Sequence, residues 1–252
     1  LINFIRNQVM INYLFDVDGT LTPSRKPIVE DFKNYFKFWI STQQSSGNKV
    51  YFVTGSDKDK TIEQIGEDLW MMVDGCYQNS GNQLFYKGEL VFESDWEMCD
   101  QLEKVVSGLI EQSGWYGTAD NNIEKRVGMV NISTIGRDCT HKQRADYYEW
   151  DKENLERERI ADIIRSNFEE VDAVIGGEIS IDIYPKGKDK SQILGCLEGK
   201  NIFFGDNCYL GGNDYTIAEA AYEKYHVADW TQTRDILAVI DKIKEIELEP
   251  TK

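Results

Sequence analysis

Two aspartates separated by one residue follow a short apolar run near the start of the chain. The run Ile11–Phe15 is typical of a buried strand, and Asp16 and Asp18 come directly after it. Residues i and i+2 of an extended chain point to the same side, so both carboxylates face together at the strand end. Carboxylates this close stay ionised together only when a cation lies between them, and otherwise one keeps a proton. In either state the pair predicts a nucleophile on phosphorus, Asp16, and a proton-transferring partner, Asp18.

Two other interpretations of the Asp-x-Asp motif, a calcium-binding loop and a structural turn, have to be considered. Calcium-binding loops also begin with Asp-x-Asp, but an EF-hand needs glycine where Leu21 stands and glutamate where Pro27 stands. A purely structural turn is the second alternative, and it stays open on these residues alone.

Three later segments carry residues that suit phosphoryl chemistry. Thr54 ends a second apolar strand and could offer its hydroxyl to a phosphate oxygen, although alone it would more often cap a helix. Lys190 opens a predicted helix and could neutralise phosphoryl charge, although a solvated surface lysine is the ordinary alternative. Asp206 ends a third apolar strand, and a carboxylate there suits a Mg²⁺ ion shared with Asp16. The order of these segments, followed by Gly211–Asp214, is more specific than any one of them.

The segments around these residues alternate between predicted strands and helices. Apolar strands are expected at 11–15, 50–53 and 201–204, and amphipathic helices at about 27–44, 57–70, 189–198 and 233–247. Such alternation is typical of parallel βαβ packing, in which functional side chains gather at the carboxyl ends of the strands. The sequence therefore predicts an α/β fold with a parallel-sheet core.

The middle of the chain has a different pattern. A helix is expected from Ser94, where Ser-Asp-Trp-Glu has the form of a capping box, to about residue 112. Met129–Ser133 alternates like a half-buried strand, a charged helix is expected over about 151–168, and two strands should pair around Gly176-Gly177. This pattern is typical of an antiparallel α+β module. The sequence thus predicts three segments, namely core 1–87, an inserted α+β cap 88–184, and core 185–252.

The overall charge narrows the classes of partner. The 252 residues carry 28 Lys and Arg against 44 Asp and Glu, which gives a net charge of −16. Such a chain is a poor candidate for coating nucleic acid or an anionic membrane, and small anions could bind only where its few cations are concentrated. We therefore expect a small-molecule substrate, with no nucleic-acid or membrane partner.

Cysteine and histidine usage limits the disulfide and metal chemistry. The five cysteines form no CxxC pair and are odd in number, so free thiols in a reducing compartment are expected. Two histidines without an HExxH motif argue against histidine-based zinc chemistry. No apolar run reaches the roughly 18 residues of a membrane span, and the opening LINFIRNQV lacks the pattern of a signal peptide. A cytoplasmic location is the expectation.

Taken in order, the motifs resemble those of the haloacid dehalogenase (HAD) superfamily. The resemblance implies a Rossmann-like core, Mg²⁺ as cofactor and a phospho-aspartyl intermediate on Asp16. It implies that Asp18 is the general acid/base and also meets the metal, through its backbone carbonyl. It gives Lys190 and Thr54 catalytic roles and makes Asp206 a metal ligand together with Asp16.

The predicted cap contains a stretch of nineteen residues with three arginines, in an otherwise acidic chain: Arg126, Arg137 and Arg144. Guanidinium groups bind phosphate through paired hydrogen bonds, although each arginine alone could be an ordinary surface residue. The segment Arg126–Arg137 closely resembles the cap signature of the eukaryotic-type phosphomannomutases. Three other segments resemble the same family: Phe15–Arg25, Gly176–Asp182 and Phe204–Asp214. They follow the family's order from about residue 13 to 214, which covers most of the chain.

By that resemblance the cap and the core bind opposite ends of a phosphosugar. Arg25 contacts it from the core, Ser180 and Asp182 bind sugar hydroxyls, and the three cap arginines bind the distal phosphate. The implied activity interconverts mannose 6-phosphate and mannose 1-phosphate through a hexose 1,6-bisphosphate, which also activates the enzyme, in support of GDP-mannose biosynthesis. The family further implies a homodimer formed through the cap.

Some positions depart from the family pattern. The family tends to have Gly, Trp, Gln and Pro at four positions of this chain: Thr54, Lys188, Glu178 and Thr134. The family's second cation site, which follows Asp214, is not expected here because 218–221 is predicted to be helical. One alternative is a Mg²⁺-dependent HAD sugar-phosphate phosphatase, favoured by Thr54, in which water takes the phosphoryl group. A phosphosugar-binding protein without activity is a further alternative, which the intact set of catalytic residues disfavours.

Overall fold

The computed structural model describes residues 9–248, with side chains as far as Lys242, and arranges them around two sheets. Most of the opening segment discussed above, residues 1–8, lies outside the described residues. The strands are Ile11–Phe15 (β1), Lys49–Val53 (β2), Gly75–Gln78 (β3), Gln83–Tyr86 (β4), Glu89–Glu93 (β5), Ile123–Arg126 (β6), Met129–Ile132 (β7), Val171–Gly176 (β8), Ser180–Pro185 (β9), Lys200–Gly205 (β10) and Glu223–His226 (β11). The α-helices are Glu30–Ser45 (α1), Lys58–Ile65 (α2), Glu67–Met72 (α3), Asp100–Glu111 (α4), His141–Asn154 (α5), Glu156–Asn167 (α6), Tyr215–Ala220 (α7) and Trp230–Leu248 (α8). Short 3₁₀ helices form at Asn79–Gly81 and Lys190–Cys196.

The larger sheet has the strand order β11-β10-β1-β2-β3-β4-β5. Its strands from β11 to β3 are parallel, whereas β4 and β5 continue the sheet as an antiparallel hairpin. Because β10, β1 and β2 are parallel neighbours, the residues that follow them, Asp206, Asp16 and Thr54, lie at one edge of the sheet. The predicted α/β class with a parallel sheet is confirmed.

Side chains alternate between the two faces of this sheet and bury both of them. On one face the rings of Phe15 and Phe204 stack with centroids 4.7 Å apart, and Phe15 packs against Phe36 and Trp39 of α1. On the other face Leu14 and Phe203 join a cluster with Ile193 of the second 3₁₀ helix. The alternation of neighbouring residues thus gives helix, sheet and helix layers around the strand that ends at Asp16.

The smaller sheet is antiparallel, with the order β6-β7-β9-β8. One face is covered by α4 and α6, and Val130 and Ile181 belong to the apolar cluster there. The alternate residues Asn131 and Asp182 therefore lie on the opposite face, where they line a cavity beside the strand ends of the larger sheet. We call the module from α4 to β9 the cap and the rest of the described chain the core.

The chain leaves the larger sheet later than the sequence predicts. The predicted cap begins at residue 88, but β5 (Glu89–Glu93) pairs with β4 and is a strand of the larger sheet. The predicted boundary therefore falls inside a hairpin, whose short apolar strand carried no signal of which sheet it would join. The return at residue 185 coincides with the end of β9.

Four predicted helices take a different form. The helix expected over 57–70 is two helices, because Gly66 adopts φ +83° between α2 and α3. The expected capping box at Ser94 is wrong, since its Oγ accepts from the backbone N–H of Trp96 and α4 begins only at Asp100. The helix expected over 151–168 is interrupted at Leu155 (φ +50°), and the segment 189–198 is a 3₁₀ helix.

Within residues 9–248, no helix is both long and apolar enough to cross a lipid bilayer.

Candidate active site

The Asp16 carboxylate lies buried at the carboxyl end of β1, against a buried lysine. Lys190, at the start of the second 3₁₀ helix, donates from Nζ to Oδ1 of Asp16 and to Oδ1 of Asp214, each at 2.6 Å. Burial lowers the pKa of Lys190, but the two adjacent carboxylates raise it by more, so the net direction is upward. The lysine is therefore held as a cation directly beside the predicted nucleophile.

Three carboxylates at this edge suit a hard divalent cation. Asp16, Asp206 and Asp214 each place an oxygen within 4.8 Å of the others. Burial raises the pKa of Asp16 well above its usual value, with Lys190 opposing the effect and Asp214 adding to it. Burial and then the Asp214 charge raise the pKa of Asp206 to about 6. A divalent cation would relieve this repulsion, so both the oxygen donors and the charge fit such an ion.

Asp214 is the member of this group to which the sequence analysis gave no role. The loop between Asp206 and Asp214 folds back on itself, because the Asn207 backbone N–H donates to Oδ2 of Asp214 at 3.3 Å. Two glycines permit the close approach. A Cβ at Gly205 would meet the Asp214 carboxylate, and a Cβ at Gly19, which has φ +86°, would meet that of Asp206. The glycines of both motifs are thus required by the carboxylate group.

Asp18 lies beside this group, but its carboxylate is not part of it. Its Oδ1 accepts from Nε2 of Gln64 at 2.9 Å and from the backbone N–H of Arg25 at 2.5 Å. The side chain lines the main cavity between core and cap. These two donors fix a carboxylate that faces the cavity, as proton transfer to a ligand requires. Its expected contact with a metal through the backbone carbonyl stays a prediction.

Thr54 lies buried at the end of β2 and lines the same cavity. Its Oγ1 accepts from the backbone N–H of Ser56 at 3.1 Å. A hydroxyl has one proton to donate besides its lone pairs, so Thr54 can still offer that proton to a phosphate oxygen.

Two of the three cap arginines share one carboxylate. Arg126 donates from Nε to Glu124 at 2.8 Å, and Arg137 pairs through its own Nε with the other oxygen of Glu124. Nη1 of Arg126 reaches across to the Gly55 carbonyl of the core at 3.3 Å. Nη1 of Arg137 donates to the side-chain oxygen of Asn131. Glu124 therefore orients both guanidinium groups at the cleft, and Arg126 also ties the cap to the core.

A smaller cavity of about 330 Å³ is completed by the other two arginines that were predicted to contact the phosphosugar, Arg144 and Arg25. Arg144, on α5, places Nη1 3.7 Å from a carboxylate oxygen of Glu178. Arg25 enters from the core on a backbone with φ +58°. Ser180 donates from Oγ to the Gly176 carbonyl at 2.6 Å and lines both cavities. Four arginines thus surround one space, which makes it a site for an anion.

Asp182 faces the main cavity from the centre of the cap sheet. Its Oδ1 accepts from Nδ2 of Asn131 at 2.6 Å. Burial raises the pKa of Asp182, while the bond from Asn131 and the charges of Arg126 and Arg137 lower it, and the net direction is upward. This carboxylate is positioned to accept hydrogen bonds from a neutral ligand rather than to bind a phosphate.

A cavity of about 610 Å³ joins the two groups of residues. Asp16, Asp18 and Thr54 line it from the core. From the cap it is lined by Arg126, Arg137, Ser180 and Asp182. Lys190 and Asp206 lie next to Asp16 and are not among the residues that line this cavity. The arrangement suits a small ligand with one phosphate at the nucleophile, hydroxyls in the middle and a second anionic group at the arginines.

Four polar residues of this site were missed by the sequence analysis: Lys60, Glu124, Asn131 and Asp214. Asn131 and Asp214 lie inside segments that carry the family resemblance, so their position in those motifs was a usable signal. Glu124 and Lys60 gave none, because a charged residue on a predicted surface element shows its partner only after folding.

Comparison with known proteins identifies phosphomannomutases as relatives of this chain. A sequence model of the eukaryotic phosphomannomutase family matches residues 39–242, a range that includes the cap arginines and begins after Asp18. The phosphomannomutase of Oryza sativa subsp. indica is 34% identical over 217 residues, covering 82% of this chain and 86% of the relative. The phosphomannomutase of Encephalitozoon cuniculi is 34% identical over 219 residues, with coverages of 81% and 83%.

The fold is also similar to that of solved structures with little sequence identity. The IMP-bound, N-terminally truncated IMP-nucleotidase of Plasmodium falciparum superposes with a TM-score of 0.64 at 14% identity. The match covers 94% of this chain and 69% of that one. At this identity the likeness shows the shared fold alone.

Proposed function

Because the chain belongs to the eukaryotic phosphomannomutase family, we propose that it is an enzyme that interconverts mannose 6-phosphate and mannose 1-phosphate. The observation that carries this proposal is the two-ended cleft. One end holds Asp16 and Lys190 at 2.6 Å, and the other end holds four arginines around a second anion site. A mutase must hold one phosphate while the other reacts, whereas hydrolysis of a monophosphate needs only the first end.

In the proposed reaction Asp16 carries a phosphoryl group as an aspartyl phosphate and transfers it to a hydroxyl of the bound hexose monophosphate. The hydroxyl oxygen bonds to phosphorus, the bond from phosphorus to Asp16 breaks, and the hydroxyl proton passes to Asp18. The donors from Gln64 and Arg25 keep the Asp18 carboxylate directed at the cleft. Lys190 offsets the charge that returns to Asp16.

The second half of the reaction uses the same groups in the reverse sense. The hexose 1,6-bisphosphate turns round, an Asp16 oxygen bonds to the phosphorus of its other phosphate, the bond from that phosphorus to the sugar oxygen breaks, and Asp18 returns the proton to that oxygen. Arginines suit this reversal because they bind a phosphate by its charge and oxygens, whichever carbon it is attached to. Ser180 and Asp182 bind sugar hydroxyls in both orientations. Hexose 1,6-bisphosphate from solution phosphorylates Asp16 in the same way, and this makes it an activator.

We propose Mg²⁺ as the cation of the core site. Asp16, Asp206 and Asp214 supply the carboxylate oxygens, with the backbone carbonyl of Asp18 as a further ligand. When bound, Mg²⁺ polarises the phosphoryl oxygens and offsets their negative charge. The support for this assignment is the all-oxygen donor set and the raised pKa values of Asp16 and Asp206.

The alternative activity is that of a Mg²⁺-dependent sugar-phosphate phosphatase on the same scaffold. Its support is Thr54, which lines the cavity at the end of β2. In that reaction water, rather than a sugar hydroxyl, takes the phosphoryl group from Asp16. The product ratio, free phosphate against isomer, separates the two activities.

We also propose a cytoplasmic location and a homodimer joined through the cap. The five cysteines are free thiols, as suits a reducing compartment. The dimer rests on the family resemblance, and sedimentation equilibrium of the intact chain tests it. The proposed product, mannose 1-phosphate, would supply GDP-mannose biosynthesis.

A phosphoryl-transfer experiment tests the proposed function. The chain is incubated with Mg²⁺ and glucose 1,6-bisphosphate carrying labelled phosphate, and the modified residue is identified by peptide mass spectrometry. We expect the label on Asp16 and its transfer to unlabelled mannose 1-phosphate on a chase. Label found on another residue, or released only as inorganic phosphate during the chase, would refute the proposed transfer.

A further inference from the structure

A carboxylate lies inside the anion site that the arginines form. Glu178, on the turn between β8 and β9, lines the cavity of about 330 Å³ and also the main cavity. One of its oxygens lies 3.7 Å from Nη1 of Arg144. A phosphate that binds to Arg144 therefore approaches a negative charge that the chain itself places there.

Two carboxylates of this cavity hold their arginines differently. Glu124 pairs with Nε of Arg126 at 2.8 Å and with Nε of Arg137, and its side chain is 35% exposed. Glu178 contacts Arg144 at the longer distance of 3.7 Å, and its side chain is 51% exposed. An ion pair of this length and exposure contributes little free energy. An incoming phosphate can therefore displace Glu178 from its arginine, whereas Glu124 stays paired.

The turn that carries Glu178 is held in place by two hydrogen bonds. The Gly177 carbonyl accepts from Nη1 of Arg157 at 2.8 Å. The Gly176 carbonyl accepts from Oγ of Ser180 at 2.6 Å. The carboxylate can therefore leave the arginine by rotation about its own side-chain bonds, with the turn unchanged.

We propose that Glu178 sets the affinity of the arginine site: it competes with the distal phosphate for Arg144 and so limits how tightly a bisphosphate is held. This inference rests on the proposed function, in which the hexose 1,6-bisphosphate must leave the arginines in order to turn round. A carboxylate beside the guanidinium repels the phosphate and shortens the time for which it stays bound. The affinity for substrate is thereby lower, and the reversal of the intermediate is faster.

Binding to an inactive chain tests the competition directly. Glucose 1,6-bisphosphate is titrated with Mg²⁺ into the full Asp16→Asn chain, which should not accept a phosphoryl group, and binding is measured by isothermal titration calorimetry. Adding Glu178→Gln should lower the dissociation constant about three- to tenfold, because one partly exposed like charge is removed. Weaker binding would mean that Glu178 positions Arg144 or binds the sugar, and would overturn the competition.

Steady-state kinetics of the active chain test the link to reversal. Glu178→Gln should lower KM for mannose 1-phosphate by a similar factor. It should lower the turnover number as well, because a bisphosphate held more tightly turns round more slowly. A lower KM with an unchanged turnover number would show that Glu178 does not affect the reversal.

Two further variants separate the lost charge from other effects. Glu178→Ala also removes the carboxylate and should tighten binding in the same way. Tighter binding with glutamine alone would come from a new hydrogen bond of the amide and would also count against the competition. Glu158→Gln removes an exposed carboxylate that lines the main cavity but not the smaller one, and should leave the dissociation constant within about twofold.

Failure of this inference and failure of the proposed function give different results. If the wild-type chain forms mannose 6-phosphate but Glu178→Gln binds the bisphosphate no more tightly, only the role of Glu178 is wrong. If the wild-type chain forms phosphate and no isomer, the mutase proposal is wrong. The calorimetric comparison still decides the role of Glu178 in that case, because it depends on the arginine site and not on turnover.

Discussion

At the residue scale the site is organised around one buried lysine. Lys190 bonds Asp16 and Asp214 at 2.6 Å each, and both carboxylates are almost fully buried. Asp16, Asp18 and Lys190 could be picked out from the sequence because their motifs place them at the ends of predicted strands and helices. Glu124 could not be assigned a role, because its two arginine partners come close to it only in the folded chain and no spacing along the sequence encodes that approach.

Replacing the nucleophile is the most direct change at this scale. Asp16→Asn should lower the turnover number for isomer formation by roughly 10³-fold or more, because an amide cannot form the aspartyl phosphate. The protein should still fold, since Asp214 keeps its bond to Lys190. Steady-state kinetics and circular dichroism measure both. Asp59→Asn, on the exposed surface of α2, is the matched control, and a nearly wild-type rate in Asp16→Asn would contradict the assignment.

The carboxylate group predicts a pH-dependent response to Mg²⁺. The pKa of Asp206 rises from 3.8 to about 6 on folding, so the metal-free folded state binds more protons than the unfolded state between these values. Its stability should therefore fall as pH rises through that window. Mg²⁺ binds the ionised form, so its stabilising effect should grow from about pH 5 to about pH 7.

Thermal unfolding with and without Mg²⁺ at the two pH values measures this effect. The increase in Tm should be larger at the higher pH and should be lost in Asp206→Asn. An increase of the same size at both pH values, or one that persists in Asp206→Asn, would show that Mg²⁺ acts elsewhere.

The cap arginines should act on substrate binding. Arg137→Ala should raise KM for mannose 1-phosphate about tenfold or more, since a charged hydrogen-bonded contact to the distal phosphate is lost. Hydrolysis of a small aryl phosphate, which has no distal phosphate, should change little. Arg234→Ala, on exposed α8, is the control. Equal losses with both substrates would mean that Arg137 is needed for structure instead.

At the element scale the sequence predicted the parallel strands better than the helix boundaries. The apolar runs that become β1, β2 and β10 are short and are buried except at the first one or two residues of each strand, and such runs have few other conformations in a globular chain. Helix ends depend on single residues that adopt left-handed backbone, such as Gly66 and Leu155. Leu155 gave no warning, because leucine seldom adopts φ +50° and does so here between α5 and α6.

The break at Leu155 is held by a buried ion pair. Arg157 bonds Asp151 at 2.7 Å and the Gly177 carbonyl at 2.8 Å, so it joins α5, α6 and the β8–β9 turn. Arg157→Ala should lower the free energy of unfolding by about 3–5 kcal/mol, because Asp151 is left buried without its partner. Urea denaturation measures the change. Arg159→Ala, half-exposed on the same helix, should stay within about 0.5 kcal/mol, and equal losses would refute this role for Arg157.

At the scale of the whole molecule, an acidic chain brings five of its 28 lysine and arginine side chains together around one cavity. The net charge is −16, yet Arg25, Lys60, Arg126, Arg137 and Arg144 surround a cavity of about 330 Å³. From the overall charge we predicted no nucleic-acid partner, and from the clustering of arginines in the cap we predicted a local anion site. Only the fold shows that the cap arginines and Arg25 of the core line the same cavity. These residues are far apart in the sequence and come close only when both modules are folded.

The central claim is that phosphate moves between two ends of one sugar. The most direct measurement supplies mannose 1-phosphate and Mg²⁺, with and without a trace of glucose 1,6-bisphosphate, and follows mannose 6-phosphate and free phosphate together. We predict that mannose 6-phosphate forms, that the bisphosphate accelerates its formation, and that little free phosphate accompanies it. Free phosphate without mannose 6-phosphate, with or without the bisphosphate, would contradict the claim and assign the chain a phosphatase activity instead.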